Sequence, residues 1–184
     1  MGRKRNRRVL AEAQTAGEPV LARRNLWKAD HLEGFVVGVD RDWAVLNLVY
    51  DVGLNGWSAI RLDTIREVER QRADAFITRA LEWAGERPEP VALDTGSVEE
   101  LLHSASGRFP LVTIYTEVED ALVCAIGRPQ RIGLSTVTFL DISSAAVWAT
   151  QTRDLRLGDI TRIDVGARYE TALHHLGGYP PIPS

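Results

Sequence analysis

The sequence predicts a mainly β protein with helices (α+β), organised as two small antiparallel β-barrels in tandem joined by a helical segment. Three observations point there. The decad IRLDTIREVE (60–69) is echoed by LRLGDITRID (155–164), each with an apolar–Arg–Leu core, an isoleucine five places on and an apolar–acidic ending. Short apolar runs broken by turn residues fill both halves, a spacing that favours antiparallel barrels over a parallel sheet. Helical periodicity is concentrated between the two copies of the decad.

Residues 1–18 come first and read as a basic, disordered arm. The chain carries 22 basic and 25 acidic residues for a net charge of −3. Its first 24 residues hold seven Lys/Arg against two Glu, a balance of +5, so the remainder stands at −8. A basic arm on an acidic body is an interaction signature. MGRKRNRR has the charge of a signal-peptide start, but no apolar stretch follows it. No apolar run approaches the roughly 18 residues of a membrane span. A cytoplasmic protein without membrane contact is therefore expected, and arginine's dominance over lysine suggests a GC-rich bacterial source.

The first barrel with its helix is expected over 19–86. Phe35–Val39 and Trp43–Tyr50 read as strands, rich in β-branched and aromatic residues. Asn55-Gly56 is a hairpin turn signal, and Arg66–Glu69 reads as the last strand. Phe76, Ile77, Ala80, Leu81 and Ala84 form one apolar helical stripe, with Arg79 and Glu82 largely off it. Gly85 and ERPEP stop that helix, which places a boundary at 86–96.

A second helix and barrel are expected over 97–176. Ser97 and Glu100 form a capping box, and Gly107 closes the helix. FPLVTIYTEV (109–118), Leu122–Ile126 and Thr136–Ile142 read as strands. Thr161–Val165 is the last, with Ile163 and Val165 on one face and Arg162 and Asp164 on the other. Walking back from the decads, LNLVYD (46–51) falls on TVTFLD (136–141) at an offset of 90, and FVVGV (35–39) near VCAIG (123–127) at 89. That alignment pairs Asp51 with Asp141 and Gly38 with Gly127. A Pro-rich tail, 177–184, follows.

A short helix before five strongly bent strands, with a tight turn ahead of the last, resembles the Sm-like (SH3-like) fold. DWAVLNLVYD (42–51) is similar to the first Sm motif, and AIRLDTI (59–65) and DLRLGDI (154–160) to the second. The resemblance implies two barrels in tandem. It does not imply the family's uridine pocket. Asp42 is five residues before Asn47 rather than four, and Leu62 and Leu157 stand where Sm proteins carry glycine.

Catalytic chemistry finds little support. His31, His103, His174 and His175 form no metal-binding spacing, and the last two read as surface residues of a C-terminal helix. Cys124, the sole cysteine, sits in an apolar run and reads as a buried, inert thiol. No cofactor or metal is expected. Arg61 and Arg156 read as strand residues paired with Asp63 or Asp159, with a ligand contact as the alternative. Trp27, Trp43 and Trp83 are assigned to core or domain-packing positions. Trp57, Trp148 and Arg156 are assigned to an interaction surface.

These readings converge on a non-enzymatic scaffolding module that binds another protein or a second copy through open barrel edges. The alternative is RNA or other nucleic acid, held by Arg3, Lys4, Arg5, Arg7 and Arg8 together with Arg61 and a barrel face bearing Trp57 or Trp148. A second alternative is a small enzyme with dispersed catalytic residues.

Overall fold

A computed structural model of the chain describes residues 2–71, 76–120 and 123–180. Four helices flank one ten-stranded antiparallel sheet that does not close on itself. The strands are β1 (Pro19–Arg24), β2 (Leu32–Val39), β3 (Trp43–Tyr50), β4 (Gly53–Arg61), β5 (Ile65–Arg70), β6 (Val112–Tyr115), β7 (Cys124–Ile132), β8 (Thr136–Asp141), β9 (Arg153–Arg156) and β10 (Arg162–Val165). The helices are α1 (Gly2–Ala16), α2 (Phe76–Ala84), α3 (Val98–Arg108) and α4 (Arg168–Gly177). Among the described residues no helix is long and apolar enough to cross a membrane.

Sheet order explains the echo in the sequence. It runs β5-β1-β2-β3-β4-β10-β6-β7-β8-β9, so the sequence 5-1-2-3-4 recurs as 10-6-7-8-9. Each decad spans a strand end, a 3-10 turn (Leu62–Thr64 or Leu157–Asp159) and the start of the next strand. Leu62 and Leu157 are buried there, so the residue after each arginine packs the corner.

Strand register corrects the finer alignment. Gly34 lies opposite Val20 and Leu48, whereas Gly127 lies opposite Val112 and Asp141. The counterpart of Gly127 is therefore Gly34, not Gly38, and that of Asp141 is Leu48, not Asp51. Both glycines serve one steric need: a Cβ would sit 2.4 Å from the Asn47 carbonyl oxygen at Gly34 and 2.0 Å from that of Leu140 at Gly127.

The basic segment is a helix, not a disordered arm. Asn6, Leu10 and Ala13 recur at i, i+4 and i+7 and are buried against the first half. Leu10 and Ala13 join Val20, Ala22, Leu46, Ile60 and Leu62 in one cluster, and Asn6 Nδ2 donates to the Ile65 carbonyl at 2.9 Å. Fully burying Leu10 contributes about 2 kcal/mol. That stripe outweighs the repulsion among the arginines, which stay in water.

The hairpin turn lies elsewhere than expected. Tyr50 pairs with Gly53 across Asp51 and Val52, with Asp51 at φ 55°. Asn55-Gly56 sits inside β4, where the register to β3 shifts between Asn47 and Val49. Gly56 has φ +73°, and a Cβ there would come within 2.5 Å of Val165 O and Ala167 N. The pair thus bends β4 so that β10 and α4 can dock, and Asn55 Oδ1 accepts from the Arg168 N–H at 2.9 Å.

Other expectations hold or shift by small amounts. Ser97 Oγ accepts the Glu100 N–H at 3.1 Å and opens α3. Ile77 and Leu81 of α2 pack on Phe35, while Phe76, expected on the same stripe, is exposed. Gly177 closes α4 rather than opening the tail, and residues 181–184 of that tail lie outside the described residues, as does Leu122.

Candidate functional site at the joint of the two halves

The joint is a strand pair. β4 and β10 run antiparallel with Trp57 opposite Val165, Ser58 opposite Asp164, Ala59 opposite Ile163 and Ile60 opposite Arg162. β10 also pairs with β6, so it lies in mid-sheet, and all four of its residues are buried. Arg162 and Asp164, expected on the face opposite Ile163 and Val165, are thus buried too. Trp43, Val45 and Ala59 from the first half share one hydrophobic cluster with Leu101, Phe139 and Ile163 from the second.

Two buried ion pairs flank this joint. Arg162 Nε donates to Asp164 Oδ1 at 2.8 Å, its NH2 bonds Oδ2, and its guanidinium stacks 4.3 Å from the Tyr115 ring centroid. Arg24, at the end of β1, forms a two-point pair with Glu117, and Thr161 Oγ donates to Glu117 Oε2 at 2.6 Å. This pair ties the first half to the second across 93 residues of chain. Buried pairs stabilise weakly against a well-packed apolar alternative but are costly to break singly, about 3–5 kcal/mol. Of the two, only Arg24–Glu117 links the halves, and separating them would leave both its charges without a partner.

Charge states follow from burial. Desolvation pushes the Arg24 guanidinium down, and Glu117 opposes it. Arg162 is penalised by burial but gains more from Asp164, and ends above its ordinary value. Tyr115 and Cys124 are pushed up by burial and then by Asp164. The raised Cys124 thiol is a poor nucleophile. Glu170, buried at the start of α4 with Oε1 accepting from Thr113 Oγ at 2.6 Å, is also pushed up by burial.

Arg61 reaches over the joint. Its NH1 donates to the Gly158 and Ile160 carbonyls at 2.7 and 3.3 Å, and NH2 to Asp63 at 2.7 Å. Arg156 pairs with Asp159 and Glu119 but is 71% exposed. Both arginines thus meet the carboxylates expected of them. A cleft of about 570 Å³ brings Arg3 and Arg61 together. Each is already held there by an acid, Asp42 or Asp63. Lys4, Arg5, Arg7 and Arg8 remain exposed on α1.

The tryptophans match their expected places only in part. Trp57 donates Nε1–H to the Glu89 carbonyl at 2.9 Å and lies 5.7 Å from Phe109. Trp148 donates to the Gly177 carbonyl at 3.2 Å and packs beside Leu111, Ile142 and Leu173. Both are partly buried and hydrogen-bonded within the chain. Of those assigned to the core, Trp43 is buried, but Trp27 and Trp83 are 84% and 88% exposed. Trp83 follows Leu81 by two positions, which turns it off the helix stripe.

Arg24, Glu117 and Glu170 stand in no motif, and Arg162 and Asp164 show in the sequence only as the polar face of a strand. An Arg-x-Asp pair alternating with Ile163 and Val165 is the available signal, since a strand apolar on one face and self-neutralised on the other suits mid-sheet burial. Among the described residues no three His, Cys, Asp or Glu side chains converge to hold a metal ion. No match was found among protein-family models, curated proteins or solved structures.

Proposed function

We propose that the chain is a non-enzymatic interaction module whose partner is a second copy of itself, added strand to strand at the two ends of the sheet. Each half is read as an Sm-like or SH3-like small barrel unit, preceded by a helix and closed by a 3-10 corner. One observation carries the reading: the ends of the sheet, β5 and β9, are the register counterparts of β10 and β4, the strands already joined inside the chain. A surface that pairs within one copy is present, unpaired, at opposite ends of every copy. Such a head-to-tail contact builds a closed ring or a filament.

Carrying the internal register outward places Arg153 of β9, now paired with Asp141, opposite Glu69 of β5, now paired with Arg23, in the next copy, a cross-strand charge pair that would join those two. The other charges on these edges, among them Glu67, Arg70 and Asp154, discourage indiscriminate strand addition. Light scattering should then give masses above the 20.4 kDa of one chain, rising with concentration. Glu69→Arg or Arg153→Glu alone should weaken association by about 0.5–1 kcal/mol, and the two together should restore it. A wild-type protein that stays monomeric at high concentration defeats the proposal.

Nucleic-acid binding is the second reading. It is supported by α1, whose anchored helix holds Lys4, Arg5 and Arg8 at fixed positions in water.

A further inference from the structure

A cleft of about 540 Å³ opens beside the joint, walled by both halves of the chain. That volume is in the range of small-molecule sites. Arg162 and Glu170 line it, and both residues are more than nine-tenths buried. Each keeps a buried polar atom, Arg162 NH1 and Glu170 Oε2, with no hydrogen-bond partner among the described residues. The other atoms of these two groups are engaged by Asp164 and Thr113. Buried polar groups left unpaired in this way are uncommon and costly.

We propose that this cleft binds a small, uncharged, planar amide, whose carbonyl accepts from Arg162 NH1 and whose N–H donates to Glu170 Oε2. An unpaired donor and an unpaired carboxyl oxygen lining one cleft complement the carbonyl and the N–H of an amide. An anion is disfavoured because Arg162 is already neutralised by Asp164, and Asp30 and Glu33 add acidic groups to the wall. An amidinium has no oxygen to offer Arg162. Planarity follows from the aromatic lining. Tyr115 lies flat under the guanidinium, and Tyr50, 68% exposed, and Tyr169 stand at the same cleft. Such rings stack on planar ligands.

Three probes of one shape separate the possibilities: benzamide, benzoate and benzamidinium, titrated into the full-length protein and followed by amide NMR shifts. Benzamide should shift Thr113–Tyr115, Cys124–Ile126 and Arg162–Glu170 saturably, about tenfold more tightly than either charged probe, the loss expected when one hydrogen bond to a charged group is replaced by a mismatch. Glu170→Gln turns the free carboxyl oxygen into a second donor, because Thr113 still holds the other atom as acceptor. Preference should therefore swing from benzamide to benzoate. Tyr50→Ala, at an exposed position outside the core, should weaken benzamide several-fold with the fold intact. The proposal is overturned by benzoate winning in the wild type, by no saturable shift with benzamide, or by Glu170→Gln or Tyr50→Ala leaving the binding order and strength unchanged.

Discussion

Glu170 is a carboxyl group that folding moves out of water, and its pKa is raised as a result. The sign of its linkage to stability is fixed by that direction. A raised folded value means that stability is fully present below the unfolded value and is lost as pH climbs through the folded one. Glu170→Gln stays neutral throughout, so its stability should rise relative to wild type over the range from the unfolded carboxyl value up to the raised folded one. The difference should level off at about 1.4 kcal/mol for each unit by which the carboxyl is raised. Denaturant midpoints of both proteins measured across that range decide it, and parallel curves would mean that Glu170 ionises freely in the folded chain. Arg162 and Asp164 show why this region was hard to foresee from sequence. Strand alternation sets them on the face opposite Ile163 and Val165, and the alternation is real. What the alternation lacks is what covers that face: the Tyr115 ring lies over the Arg162 guanidinium, and Glu170 of α4 lines the same cleft.

Element boundaries were legible where local chemistry decides them. Trp43–Tyr50 is β3 as its composition predicts, α2 follows its stripe, and the Ser97 cap opens α3. Asn55-Gly56 misled because the φ > 0 that marks a hairpin turn also serves a bulge, and only the docking of Val165 and Ala167 distinguishes the two. The first helix misled for a different reason. Its charge dominates its composition, whereas three positions, Asn6, Leu10 and Ala13, decide its placement. That placement also dictates how the nucleic-acid reading is to be tested. Truncating the segment would uncover a hydrophobic cluster, so charge must be removed without removing the helix. Lys4→Gln, Arg5→Gln and Arg8→Gln together leave the buried stripe alone. If α1 binds phosphates, the triple variant should reduce the salt dependence of RNA binding by about one unit of slope for each phosphate it no longer neutralises. An unchanged slope excludes α1 from that role.

The whole molecule behaves as one cooperative body if its core is read literally. Two halves with matching strand order suggest two domains with a linker between them, and the stretch between α2 and α3 contains neither helix nor strand. Yet that stretch is itself held down. The Glu89 N–H donates to Asn47 Oδ1 at 3.0 Å, and Val91 and Leu93 pack against the shared cluster. The cluster draws Trp43, Val45 and Ala59 from one half and Ile114, Phe139, Leu157 and Ile163 from the other. Neither half can expose its share without uncovering apolar surface on the other, and the Arg24–Glu117 pair would leave two unpaired charges on separation. Calorimetric and van't Hoff enthalpies should therefore agree for the full chain. Trp43→Ala should cost about 3–5 kcal/mol as a core truncation. Because Trp43 contributes to both halves, that cost should lower a single transition rather than detach an early step belonging to residues 19–70. Two resolved transitions, with the substitution shifting one of them alone, would show that the joint is a docking contact between independent domains instead of the centre of one core.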